Sequence, residues 1–222
     1  MYIDKEKALS NLQKTFSNFI DYVNNDIEKV TLQDFNSEET MLVIIDMVNG
    51  FVREGVLSSP FVDNISKKLS LFAKNCEDLN IPIIAYADTH DSNCKEFKSF
   101  PVHCVKNTYE AELIDELKSI KSIMKVEKNS TNSFIAKNPL ELADRNIKNI
   151  LVVGCVTDIC VRDFSKTFNK YLDDKNIDAN VFLIENLVET YDIEGYHDRQ
   201  MEHLLALYDM KSSGIKIVNM KL

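Results

Sequence analysis

Three side chains with the makings of an activated thiol follow apolar runs of the sequence. Asp46 comes after Met41–Ile45, Lys128 after Ile123–Val126, and Cys160 closes Gly154-Cys155-Val156-Thr157-Asp158-Ile159-Cys160, which follows Ile150–Val153. A cysteine at the start of a helix meets unpaired N–H groups and the positive end of the helix dipole, which favour thiolate over thiol. Lys128 can stabilise that charge and Asp46 can take the proton. Singly, each has a plainer reading. A free cysteine is usually a small buried hydrophobe, as Cys76 and Cys155 are read here, and a lone Asp or Lys is usually a surface charge.

A second group, Asp88, His90 and His103, combines carboxylate and imidazole as a divalent-metal site would, with Zn, Mn or Fe suited to such ligands. Glu96 lies between the two histidines. The plainer reading of Asp88 and His90 is a loop hydrogen-bonding pair, because Asp-x-His alone is a weak motif. His197 and His203 cannot share one helical face and are read as structural.

The elements that must position these groups follow from periodicity. Six short β-branched runs, Met41–Ile45, Ile81–Tyr86, Ile123–Val126, Ile150–Val153, Val181–Ile184 and Ile215–Val218, alternate with helical stretches near 62–79, 109–119, 139–146, 159–172 and 196–210. Nearly continuous apolar strands are buried on both faces, so the expectation is an α/β fold: an open six-stranded parallel sheet with helices on both sides. Asn138-Pro139 is the clearest helix start. Ligands of such a sheet bind beyond the carboxyl ends of its strands, where all the groups above fall. Ala8, Leu12, Phe16, Phe19, Ile20, Val23 and Ile27 recur at helical spacing, predicting an amphipathic helix from Lys5 to about Val30. The expected organisation is an N-terminal helical extension, 1–38, and a catalytic domain, 39–222.

Composition removes other classes. The 222 residues carry 26 Lys and Arg against 35 Asp and Glu, a net charge of −9 that disfavours nucleic acid as a partner. No apolar run approaches the roughly 20 residues of a membrane span, and the first residues do not read as a secretory signal. A cytoplasmic location is the expectation, and five cysteines without paired spacing are expected to be reduced thiols. The five glycines form no G-x-G-x-x-G, and Gly50 to Gly55 continues with Val56 where a phosphate loop needs Lys.

Taken together, the motifs Val43-Ile44-Ile45-Asp46-Met47-Val48-Asn49-Gly50-Phe51, Ala87-Asp88-Thr89-His90, Glu96-Phe97 with Phe100-Pro101-Val102-His103-Cys104, Lys128 with Ser133-Phe134, and Gly154 to Val161 resemble the isochorismatase-like cysteine hydrolases, and among them the nicotinamidases. The resemblance implies a triad of Asp46, Lys128 and Cys160. It also implies one divalent metal, zinc first, held by Asp88, His90 and His103, with Glu96 as a further ligand or a partner of the ligands. It further implies a cis peptide between Cys155 and Val156, an oxyanion hole of the Val156 and Cys160 backbone N–H groups, and Phe51 and Phe134 against a pyridine ring. The implied activity is hydrolysis of nicotinamide to nicotinate and ammonia through a thioester, with a small-molecule amide as partner, no membrane, and a homo-oligomer as the family often forms. Another amide of ureido or carbamoyl type, or a silent site, are the alternatives. Asn107 stands where many relatives have glycine and is expected to tolerate a left-handed turn. The N-terminal helix lies outside the resemblance and is expected to cover the sheet edge or an oligomer contact.

Overall fold

The computed structural model describes residues 3–222; the first two residues of the expected extension lie outside the described residues. Its strands are β1 (Glu28–Val30), β2 (Thr40–Ile45), β3 (Ile83–Asp88), β4 (Ile123–Lys128), β5 (Asn149–Cys155), β6 (Asn180–Glu189) and β7 (Lys216–Met220). The helices are α1 (Lys5–Asp21), α2 (Asn49–Val52), α3 (Pro60–Asp78), α4 (Asp115–Lys118), α5 (Ser133–Ala136), α6 (Arg162–Lys175) and α7 (Arg199–Ser212). All strands pair in parallel, in the order β1-β7-β6-β5-β2-β3-β4.

The expected α/β architecture is present, and the two-faced strands are its centre. In β2, Leu42 and Ile44 join a core under α3, where Val62, Leu69, Phe72 and Cys76 are buried. Met41, Val43 and Ile45 face the opposite core with Phe164 and Phe168 of α6 and Leu207 and Met210 of α7. Side chains alternate across a strand, so an unbroken apolar run serves two layers.

The count of six strands is corrected to seven. The N-terminal helix ends at Asp21, continues as a π-turn over Tyr22–Asp26, and gives way to β1, which pairs with β7 at Glu28↔Val218. Three residues beside a long helical pattern carry no strand periodicity of their own; the open edge of β7 supplies the hydrogen bonds that make them one. β4 forms the opposite edge, and Met124, Lys125 and Glu127 are exposed, so burial on both faces does not extend to it. The helix expected at 139–146 is a single 3-10 turn, Pro139–Glu141, although Asn138 caps it as expected by accepting from the Leu140 N–H at 3.1 Å. The stretch at 109–119 is likewise reduced to a 3-10 turn, Tyr109–Ala111, and α4.

α1 lies on α7. Tyr208 meets Phe16 at 5.3 Å and Phe19 at 5.2 Å between ring centroids, and Lys211 sits 4.0 Å over the Tyr22 ring. No helix among the described residues is long and apolar enough to cross a membrane.

Candidate active site

The ends of β2, β3, β4 and β5 bring Asp46, Asp88, Lys128 and Cys160 into one buried cluster. Adjacent parallel strands end side by side, and the register pairs Asp88 with Lys128 directly. Asp46 turns out of β2 with a φ of 50°. Beside it Gly154 has a φ of +116°, and a Cβ there would lie 2.0 Å from the Ile45 carbonyl oxygen. Only glycine permits that approach of β5 to β2. The Cys155-Val156 peptide is cis, where the resemblance puts it. A five-residue turn, Thr157–Val161, then carries Cys160 into α6, so the cysteine precedes the regular helix rather than opening it.

Lys128 organises the cluster. Its Nζ lies 2.8 Å from Asp46 Oδ2, donates to Asp88 Oδ1 and, at 3.0 Å, to the Ser130 carbonyl, and stands 3.8 Å from Cys160 Sγ. The side chain is wholly buried, and a buried ammonium persists only when paired in this way. Burial works against its charge, but the two carboxylates hold its pKa well above the usual lysine value. Asp46 Oδ1 accepts from the Asp88 backbone N–H at 2.8 Å. Burial, with the charge of Asp88 added and Lys128 opposing, lifts the Asp46 carboxyl to about 7.

Burial raises the Cys160 thiol well above its ordinary range; Lys128 opposes this, while Asp46 and Asp88 add to it. Two carboxylates against one ammonium leave a negative surplus around the thiol, and Asp46 stands beside it as a carboxyl raised towards neutrality.

Asp88 also faces the second cluster through Oδ2, which is 3.5 Å from His90 Nε2 and 3.6 Å from His103 Nε2. The two Nε2 atoms are 3.2 Å apart, and Glu96 Oε1 is 3.8 Å from His90 Nε2. A parallel bridge, His90↔Val105, ties the two segments together. His103 Nδ1 meets the Pro101 carbonyl at 2.7 Å and His90 Nδ1 meets the Asn129 side-chain oxygen at 3.1 Å. With both Nδ1 atoms facing acceptors, both Nε2 lone pairs face one another and two carboxylates. Such a centre suits a cation. The pKa of His90, drawn up to about 9 by Asp88 against the effect of burial, expresses the same demand for positive charge. The ligand atoms of the four residues all lie within 4.8 Å of one another, and the closest pairs, 3.2–3.8 Å apart, have the separation expected around one ion with metal–ligand distances near 2.0–2.2 Å. Asp88, His90, Glu96 and His103 therefore fit a divalent metal.

The cleft over Cys160 is walled by Phe51, Leu57, Phe100, Ile159 and Tyr191 and encloses about 10 Å³, room for one water. A ring enters only if side chains move; Phe100 and Ile159 are the half-buried ones. Phe51 meets the His103 ring at 5.5 Å. Phe134 stays apart from the cleft, packed on Phe168 at 5.7 Å and Tyr171 at 5.1 Å. Val156 and Cys160 border the cleft together.

Sequence reasoning missed Tyr191 and the clamp that holds it. Asp158 accepts from Thr190 Oγ1 at 2.6 Å and lies 2.9 Å from His197 Nε2, while His197 Nδ1 meets the Tyr191 carbonyl at 3.1 Å. Asp158, two residues before Cys160, was the available signal. Asn107 adopts the expected left-handed conformation with a φ of 65°.

The chain matches the Isochorismatase domain over residues 40–210. It is 28% identical over 207 residues to Nicotinamidase 1 of Arabidopsis thaliana, covering 80% of this chain and 84% of the relative. The crystal structure of a pyrazinamidase of Pyrococcus horikoshii in complex with zinc superposes with a TM-score of 0.67 at 26% identity, over 82% of this chain and 99% of that one. An N-carbamoylsarcosine amidase from Thermoplasma acidophilum shares the fold, with a TM-score of 0.65 at 21% identity over 82% and 96% of the two chains.

Proposed function

The chain belongs to the Isochorismatase domain family, and from that premise we propose that it is a metal-dependent cysteine amidohydrolase converting nicotinamide to nicotinate and ammonia. The observation that carries the reading is the bridging role of Asp88, whose Oδ1 holds Lys128 beside Cys160 while its Oδ2 faces His90 and His103. One carboxylate couples a thiol centre to a metal centre, as a reaction that positions a ring and attacks its carboxamide requires.

In this reading Asp46 accepts the Cys160 proton as Sγ bonds to the carboxamide carbon, with Lys128 holding both charges in place. The Val156 and Cys160 backbone N–H groups donate to the oxygen that becomes negative. Asp46 returns the proton to the amide nitrogen, the C–N bond breaks, and ammonia leaves a thioester. Asp46 then takes a proton from water, whose oxygen bonds to the acyl carbon. The C–S bond breaks and Sγ recovers the proton. A divalent metal held by Asp88, His90, His103 and Glu96 would supply a Lewis-acid contact for the substrate's ring nitrogen. Phe51, beside His103, would stack on the ring, and Phe100 and Tyr191 would complete the wall.

The test compares kcat/KM for nicotinamide, pyrazinamide and N-carbamoylsarcosine on metal-loaded enzyme. Preference for the two ring amides is expected, abolished by chelation. Preference for the ureido substrate, with no effect of chelation, would assign the site to the other amide class.

A further inference from the structure

A cavity of about 540 Å³ opens between α1, α3, the end of β6 and α7, away from the catalytic cleft. That volume is within the range of small-molecule sites. Part of its wall, Ile20, Val23 and Asn24, precedes residue 40, where the family match begins, so the N-terminal segment closes one side of it. Val23, Ile65 and Leu204 give it an apolar body.

The polar end is electrostatically uneven. Arg199 donates to Glu189 at 2.8 Å and lies 4.4 Å over the Phe61 ring, so those opposite charges satisfy each other. Glu185 is left over. Its side chain is 21% exposed, and among the described residues the one basic group within ion-pairing reach is His203 Nε2 at 3.7 Å, beyond hydrogen-bond distance. His203 is held from its other side, with Nδ1 3.0 Å from Thr157 Oγ1. A carboxylate facing a half-enclosed space of mixed polar and apolar lining, with no charge-assisted donor at hydrogen-bond distance, can take one from solution.

We infer that this cavity binds a small organic monocation: a protonated amine at Glu185 with an apolar body against Val23, Ile65 and Leu204. One unmatched carboxylate suits one positive charge rather than a divalent metal, and an anion is repelled by it and by the chain's net charge of −9. Because His203 also touches Thr157, the bound cation sits one side chain from the turn that carries Cys160.

The test is methyl NMR of the full chain titrated separately with benzylammonium, benzyl alcohol and benzoate. Saturable shifts at Val23, Ile65 and Leu204 are expected with benzylammonium, with benzyl alcohol weaker by about tenfold or more and benzoate inactive, as loss of a charge-assisted hydrogen bond implies. Glu185→Gln should weaken benzylammonium by about tenfold with an unchanged unfolding midpoint. Val23→Trp should fill the cavity and abolish the shifts. Equal binding of benzyl alcohol, undiminished binding by E185Q, shifts confined to Leu57 and Ile159 of the catalytic cleft, or no shifts in the millimolar range would each overturn the inference.

Discussion

At the residue scale the site is a balance of buried charges, and its members fail in different ways when changed. Cys160→Ala removes the proposed nucleophile; it is expected to lower kcat by at least about a thousandfold, to a residual rate set by binding and the oxyanion contacts, with metal content and unfolding midpoint unchanged. Lys128→Met strands two buried carboxylates and is expected to cost about 3–5 kcal/mol in denaturant unfolding, because the partners of a broken buried pair stay desolvated. His103→Ala takes one of two facing Nε2 atoms from the proposed metal site. It should fall to substoichiometric metal after dialysis, while Asn129→Ala, which frees the His90 ring, should lose about 10–100-fold in metal affinity. Asp46, Asp88 and Lys128 were legible in the sequence because each stands at the end of a strand, and parallel strand ends converge, whereas Glu96 and His103 lie on the loop after β3 and were found by residue type. Of the cleft's aromatic wall only Phe51 was assigned to the site from the sequence. Phe134 and Tyr191 are both aromatic residues near the site in sequence, and only the course of the loop held by Asp158 and His197 decides that Tyr191 faces Cys160.

At the scale of elements, what periodicity could specify was the two-faced strands β2, β3 and β5 and the helices α3, α6 and α7. The edges were outside its reach. β1 is a strand because β7 offers it a partner, and β4 is polar because one side of it meets solvent; both are consequences of neighbours rather than of their own pattern. Two joints between elements make testable demands. Gly154→Ala forces a Cβ into the Ile45 backbone at a positive φ and is expected to cost about 3 kcal/mol or more, seen as loss of folded protein on expression. Glu77 of α3 accepts from the Ser122 N–H at 2.9 Å and from Lys74 at 2.7 Å, fastening the start of the β4 edge. Lys74 first, and then Ser122, hold its carboxyl down to about 2 from an ordinary 4.5. A carboxyl lowered in the folded state stabilises above its unfolded pKa, and that stability is lost as pH falls from 4.5 through about 2. Glu77→Gln should therefore unfold earlier than the parent at pH 7, and the difference should shrink as the pH is lowered through that window.

At the scale of the molecule the N-terminal segment sets this chain apart from the family domain it carries. It adds a strand to the β7 edge, covers Tyr208 with Phe16 and Phe19, and closes one side of the second cavity. The sequence showed its helix and left its purpose open between edge cover and oligomer contact; the helix packs on α7, and it is the strand after it, β1, that pairs with the β7 edge. Removing residues 3–38 should lower the thermal midpoint by about 2–4 °C for each kcal/mol lost and promote self-association through the freed β7 edge. Calorimetry and light scattering read both, and an unchanged midpoint with unchanged size would deny the segment a stabilising role.

The step on which the proposed reaction turns is attack of Cys160 on the amide, which leaves the acyl group on sulfur as a thioester. Its most direct measurement is the mass of the metal-loaded enzyme acid-quenched during turnover of nicotinamide, with the peptide containing Cys160 sequenced. A nicotinoyl adduct on Cys160, absent from Cys160→Ala, which releases no ammonia, is the predicted result. Sustained ammonia release without any adduct, undiminished in the Cys160→Ala variant, would contradict it.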